Sequence, residues 1–151
     1  MSLTQPSLKG RALRLLSGRE HSRAELERKL QRFEEQPGTL AQALDELQAK
    51  GFINEQRVIE SVLHRRAAKL GTARIRQELQ GKGLDPEAIS QAVAGLQASE
   101  RERALALWRK KFAQPPADAL AAARQMRFLA ARGFSGDVIR RVVSMRAGED
   151  D

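Results

Sequence analysis

Apolar residues return along this chain every three or four positions, the period of a helix with one buried face. Leu8, Ala12, Leu15 and Leu16 form a first stripe, Leu26, Leu30 and Phe33 a second, and Leu40, Leu44 and Leu47 a third. Ile59, Val62, Leu63 and Leu70 follow, then Ile75 with Leu79, then Ile89, Val93 and Leu96. The last third offers Leu105, Trp108 and Phe112, then Leu120 and Leu129, then Val138, Ile139, Val142 and Val143. The pattern predicts nine helices. No strand is expected, because alternating β-branched runs are absent and the better helix formers dominate.

Polar punctuation divides the stripes. Ser22-Arg23-Ala24-Glu25 has the form in which a serine hydroxyl accepts an orphan amide proton while the glutamate reaches back to the serine amide. Thr39 with Gln42 and Ser99 with Glu102 repeat the spacing, and Asp85 precedes a proline at a first helical position. Gly51, Gly71, Gly83 and Gly133 stand where helices should stop, since glycine takes the left-handed C-terminal conformation without steric cost. Glu20, His21 and Ser22 stand side by side, but a serine nucleophile needs a base held by a third group and an oxyanion site. No glycine-rich segment supplies one here, and Ser22 is read as a cap.

Residues 73–93 align with residues 123–143 at a constant offset: Leu79 with Leu129, Gly83 with Gly133, Ile89 with Ile139, Val93 with Val143. Leu26 and Leu30 fall more loosely where Ile75 and Leu79 fall. The fold expected is all-α, an elongated tandem array of three three-helix repeats spanning 1–53, 54–98 and 99–151. Such an array offers a long surface more naturally than a deep pocket.

Composition narrows the partners. The 151 residues are 41% hydrophobic and 30% charged, with no apolar run approaching a membrane span and no apolar N-terminal leader. The absence of cysteine excludes disulfides, thiolate metal sites and cysteine nucleophiles, and suits a cytoplasmic protein. Lys and Arg number 27 against 19 acids, a net +8 that attracts polyanions. With five Phe, one Trp and no Tyr, the chain lacks the platforms that single-strand readers use for base stacking. Contact with a phosphate backbone or an acidic protein face is favoured instead.

Three segments in order, 12–30 (ALRLLSGREHSRAELERKL), 47–66 (LQAKGFINEQRVIESVLHRR) and 71–93 (GTARIRQELQGKGLDPEAISQAV), resemble the RecX family of bacterial regulators of the RecA recombinase. The likeness covers the first two thirds well and the last third weakly. It implies tandem three-helix repeats and a protein without catalysis or cofactor. Such a protein lodges in the groove of the RecA filament on single-stranded DNA, restrains ATPase, strand exchange and coprotease activity, and binds DNA weakly. DNA repair, recombination and the SOS response are the processes implied. The chain departs from the family at Asn54-Glu55, which replaces an acidic pair, and at Val58, which stands at an aromatic position.

Basic residues concentrate between 57 and 82, where Arg57, Arg65, Arg66, Lys69, Arg74, Arg76 and Lys82 face only Glu60 and Glu78. Arg65 and Lys69, one turn apart, are expected to face outward together. These seven are the candidate contacts with RecA and its DNA, with Arg140 and Arg141 as secondary candidates; the alternative for them is a solvated helix face. Arg23, Arg28 and Lys29 alternate with Glu25 and Glu27, so local pairing is expected to absorb their charge. His21 and His64 lack companions for a metal site, Trp108 lies on an apolar stripe, and 148–151 reads as an acidic end. The rival function is a helix-turn-helix protein acting directly on DNA. A nucleic-acid or nucleotide enzyme has no phosphate loop or carboxylate cluster behind it. The expected state is a monomer with no membrane contact.

Overall fold

The computed structural model describes residues 5–148, with side chains to residue 144. Among them are eight α-helices and no strand: α1 (Leu8–Gly18), α2 (Arg23–Leu30), α3 (Thr39–Ala49), α4 (Glu55–Arg66), α5 (Thr72–Gly81), α6 (Pro86–Lys111), α7 (Ala119–Ala131) and α8 (Gly136–Gly148), with a 3-10 turn at Gln31–Phe33 after α2. The acidic tail residues Glu149, Asp150 and Asp151 lie outside the described residues.

The ninth helix is absent because α6 is one helix of 26 residues. Ile89, Val93, Leu96, Glu100, Ala104 and Trp108 are all buried at intervals of three or four, so the stripe crosses the expected break without losing phase. Ser99 therefore caps nothing: its hydroxyl donates to the Leu96 carbonyl at 3.2 Å and accepts from Arg103 Nε at 3.1 Å. The first half of α6 closes the second unit and its second half opens the third.

Three separate cores follow one another along the chain. Ala12, Leu26, Leu30, Leu44 and Leu47 fill the first; Val58, Ile59, Val62, Ile75 and Leu79 the second; Trp108, Leu129, Phe134 and Val142 the third. Val58 is 1% exposed, so the position at which the resemblance implied an aromatic ring is packing volume here. Trp108 is buried as its stripe implied, with Nε1 donating to Gln125 Oε1 at 2.8 Å. The accessible surface of 9743 Å² exceeds the roughly 7,600 Å² of a compact monomer of 16.8 kDa, as a drawn-out array requires.

The caps divide into those legible from sequence and those not. Ser22 and Glu25 form the reciprocal box, Asn54 Oδ1 accepts from the Arg57 amide at 2.9 Å, and Asp85 Oδ2 accepts from the Ala88 amide at 3.2 Å. Thr39 does not cap: α3 begins with it behind Gly38, and Glu34 Oε2 takes the Leu40 amide at 2.8 Å. Gly51, Gly83 and Gly133 have positive φ, as helix stops should. Gly71 has φ −78° and starts α5 instead of ending α4.

Its reason for being glycine is the junction with the third unit. The Gly71 amide donates to the Arg132 carbonyl at 2.7 Å and the Ala73 amide to the Gly133 carbonyl at 3.3 Å, so orphan donors at the start of α5 meet orphan acceptors at the end of α7. The first junction uses the same plan. Ser22 Oγ accepts from the Glu25 amide at 3.1 Å and donates to the Lys82 carbonyl at 2.6 Å, joining the start of α2 to the end of α5. The middle helices of the three units thus run end to start, α7 to α5 to α2.

Candidate functional site

An arginine reaches across each junction to an equivalent carbonyl. Arg28 of α2 donates to the Gly81 carbonyl at 2.8 Å, and Arg74 of α5 donates to the Ala131 carbonyl at 2.7 Å. Gly81 and Ala131 are repeat equivalents, each two residues before a helix-ending glycine. Arg28 stands one turn on from Arg74 in repeat register, so the two reach out from the same flank of α2 and α5. Arg124 is the repeat equivalent of Arg74 on α7, and Arg127 lies one turn on. Both are exposed and make no ion pair or hydrogen bond among the described residues. Arg28, Arg74, Arg124 and Arg127 form a row crossing all three units.

The seven cations expected to act together are divided by the fold. Arg65 and Arg66, at the end of α4, share one carboxylate, Glu78 of α5, at 3.9 and 3.1 Å. Two positive charges against one acid leave an excess beside Arg74, and exposed pairs of this kind hold their partners weakly. Lys69 is exposed in the following turn without an ion pair. These three extend the row in its middle. Arg76 lies on the opposite flank of α5, lining shallow hollows with Ser90 and Gln97 of α6.

Arg57 and Lys82 belong to the first junction. Arg57 Nε donates to Glu20 Oε1 at 2.9 Å and its Nη2 to the Gly51 carbonyl at 2.6 Å. Lys82 is withdrawn from the candidate surface: its side chain is 12% exposed and binds Glu25 Oε1 at 3.3 Å. Of the secondary candidates, Arg140 pairs with Asp137 within α8, and Arg141 is exposed.

Local pairing does not absorb the charge of α2 as its alternation suggested. Arg23 does pair, with Glu27 at 3.1 Å and Asp45 at 2.7 Å. Glu25 turns away to Arg19 Nη2 at 2.7 Å and Lys82, which leaves Arg28 and Lys29 without a carboxylate among the described residues. Lys29 Nζ instead meets His21 Nε2 at 3.0 Å, while His21 Nδ1 meets the Arg19 carbonyl at 3.0 Å. The carbonyl requires the proton on Nδ1, so Nε2 accepts from the ammonium and the ring is neutral. Burial lowers the His21 pKa, and the charges of Arg19 and Lys29 add to that.

Three further side chains hold the units in register. Burial pushes the Glu25 carboxyl up, but Arg19, the Ser22 amide and Lys82 outweigh it and set the pKa at about 2. Arg103 of α6 donates to the Ala67 carbonyl at 2.9 Å, the Leu70 carbonyl at 2.7 Å and Thr72 Oγ1 at 3.2 Å, tying the end of α4 to α6. Glu100, 7% exposed, accepts the Thr72 amide at 3.3 Å at the start of α5.

Helical units joined end to start, with exposed cations on their middle helices, define an all-α tandem-repeat protein. Three family models match the chain: "RecX, first three-helix domain" over 9–47, the second over 54–93 and the third over 99–143. "Regulatory protein RecX" of Leptothrix cholodnii is 54% identical over 147 residues, covering 97% of this chain and 94% of the relative. That of Ralstonia nicotianae is 48% identical over 137 residues, covering 91% and 86%. The crystal structure of RecX from Lactobacillus salivarius superposes with a TM-score of 0.75 at 20% identity, covering 93% of this chain and 94% of that one. The chain belongs to the RecX family of regulatory proteins. Among the described residues no helix is long and apolar enough to cross a membrane.

Proposed function

We propose that this chain is a non-enzymatic, monomeric modulator of the RecA recombinase that lies in the groove of the RecA filament on single-stranded DNA. Bound there, it restrains ATPase, strand exchange and coprotease activity, acting in the cytoplasm on DNA repair and the SOS response. The observation that supports this reading best is that Arg28 and Arg74 reach equivalent carbonyls across the two junctions, with Arg124 on α7 the repeat equivalent of Arg74, so exposed cations recur along the array. An array of that kind suits a repeating polyanion: several weak contacts on one body add through effective concentration, so a filament is held far more tightly than a free subunit. Arg65, Arg66, Lys69, Arg74, Arg124 and Arg127 are the contacts assigned to this face, with Arg28 at its end. Inhibition follows from occupying the groove, where the array obstructs incoming duplex or the subunit rearrangements of ATP turnover.

Direct readout of duplex DNA by one recognition helix is less well supported, because the exposed cations are shared among α2, α4, α5 and α7. The test is RecA ATPase on single-stranded DNA titrated with this protein, alongside its affinity for RecA-coated and bare strands at one salt concentration. The rate should fall, and the coated strand should bind more tightly. Equal affinity for the two strands would overturn the proposal.

A further inference from the structure

We infer that the cleft between α1 and the α2–3-10 segment of the first unit is a docking site for an acidic peptide segment that carries one bulky apolar side chain. This goes beyond the filament reading and concerns a neighbouring place in the fold, which shares only Arg28 with that face. Two adjoining hollows of about 510 and 960 Å³ share Pro6, Ser7, Arg11, Arg32 and Phe33. The larger adds Arg14, Arg28 and Lys29, so five cations surround it and no acid lines it; the smaller has only Glu35.

Among the described residues these cations pair with no carboxylate. Arg11 donates through Nη2 to Gln5 Oε1 at 3.1 Å, and its enclosed Nε has no partner. Arg28 and Lys29 hold a carbonyl and an imidazole, as described above. The guanidinium carbons of Arg11 and Arg32 both stand over the Phe33 ring, 3.7 and 4.6 Å from its centroid. Two like charges gathered on one ring repel each other, and a carboxylate bridging them relieves the repulsion while accepting from both forks. The floor of the larger hollow is apolar, with Leu15 and Leu30 beneath the cationic rim.

That combination sets the chemistry of the occupant. A nucleic acid would bring bases needing a stacking platform, but Phe33, the single aromatic ring of the cleft, is already engaged by two guanidiniums. A peptide brings carboxylates for the rim and an aliphatic or aromatic side chain for the floor. Charge complementarity and an apolar floor together favour the peptide.

The experiment titrates the intact protein with a fluorescein-labelled peptide, Glu-Asp-Leu-Asp-Glu-Asp, read by anisotropy. A version with Gly in place of Leu and an oligothymidylate of equal charge serve as comparisons. The leucine peptide should bind about tenfold more tightly than the glycine peptide, as burial of one leucine implies. Arg14→Glu/Arg32→Glu should weaken it about tenfold or more, as loss of charge-assisted hydrogen bonds implies. Arg74→Glu/Arg124→Glu should leave it unchanged, which separates failure here from failure of the filament reading. Equal affinity of the two peptides, tighter binding of the oligothymidylate through Arg14 and Arg32, or indifference to that double variant would overturn the inference. If the double variant fails to fold, amide chemical shifts of the unaltered protein decide. Peptide-induced shifts centred on Arg11, Arg32 and Phe33 support the site, and shifts centred elsewhere overturn it.

Discussion

Gly71 and Gly133 meet backbone to backbone at the junction of the second and third units. A Cβ built on Gly71 would stand 2.3 Å from the Gly133 carbonyl carbon, inside any allowed contact. Gly71 has φ −78°, which alanine adopts freely, so the effect of substitution isolates the close approach from backbone strain. Gly71→Ala should force α7 away from α5 and destabilise the array by about 1–3 kcal/mol, as overpacking does. Thermal unfolding should shift down by several degrees; an unaltered midpoint would mean that the junction is not closed in solution.

Arg103 is the principal tie between α4 and α6. Removing its guanidinium leaves the Ala67 and Leu70 carbonyls without those bonds, in a region where burial already lowers the Arg103 pKa. Arg103→Met keeps much of the volume and should cost about 2–3 kcal/mol, as loss of hydrogen bonds from a charged donor implies. Urea unfolding checks this through a lower midpoint at unchanged slope.

Cations tied within the fold and cations presented to a partner should separate by stability. Lys82→Ala takes one of the ion partners from the nearly buried Glu25 and should cost about 1–3 kcal/mol. Lys69→Ala and Arg76→Ala, which break no ion pair, should stay within about 0.5 kcal/mol. Chemical denaturation of the three variants side by side decides it.

Acid should loosen the first junction in two stages. The folded pKa of His21 lies below 6.5, so its contribution is present above 6.5 and declines as pH falls below that value, where the unfolded chain takes the proton more readily. Glu25 titrates near 2 in the folded state against 4.5, so its contribution is full above 4.5 and declines from there toward 2. Solvent at the Arg19 side screens the pair, and the Glu25 contribution is about 1–3 kcal/mol. Glu25→Gln should flatten the loss of stability between pH 4.5 and 2, measured by urea unfolding at stepped pH.

The helical content and the capping box at Ser22 were legible because each is a local pattern of three to seven residues, and the repeat because residues 73–93 and 123–143 align at a constant offset. Ser99-x-x-Glu102 shows the limit of that reading. The same spacing sits inside α6, since a cap motif states how a helix can begin and not whether the preceding helix has stopped. The unbroken burial of Leu96, Glu100 and Ala104 is the signal that could have joined the two halves. At the candidate surface, charge density pointed to the middle unit but carried no information on the sides of its helices. Lys82 meets Glu25 across 57 residues, and that pairing alone removes it from solvent. Arg124 was within reach of sequence reading, because the offset that aligns Leu79 with Leu129 also aligns it with Arg74. Arg28 was not, because its freedom depends on where Glu25 turns.

The most direct test of the cationic row is the affinity of Arg74→Glu/Arg124→Glu for RecA-coated single-stranded DNA, beside the unaltered protein. Both positions are exposed, but Arg74→Glu gives up the bond to the Ala131 carbonyl, so the variant should retain its helical content and lose about 1–2 kcal/mol of stability. Reversing two charges in adjacent units should weaken filament binding by about tenfold or more, as the loss of multivalent contacts implies, and relieve inhibition of the ATPase in parallel. A folded double variant that binds and inhibits as the unaltered protein does would contradict the assignment of this flank to the filament.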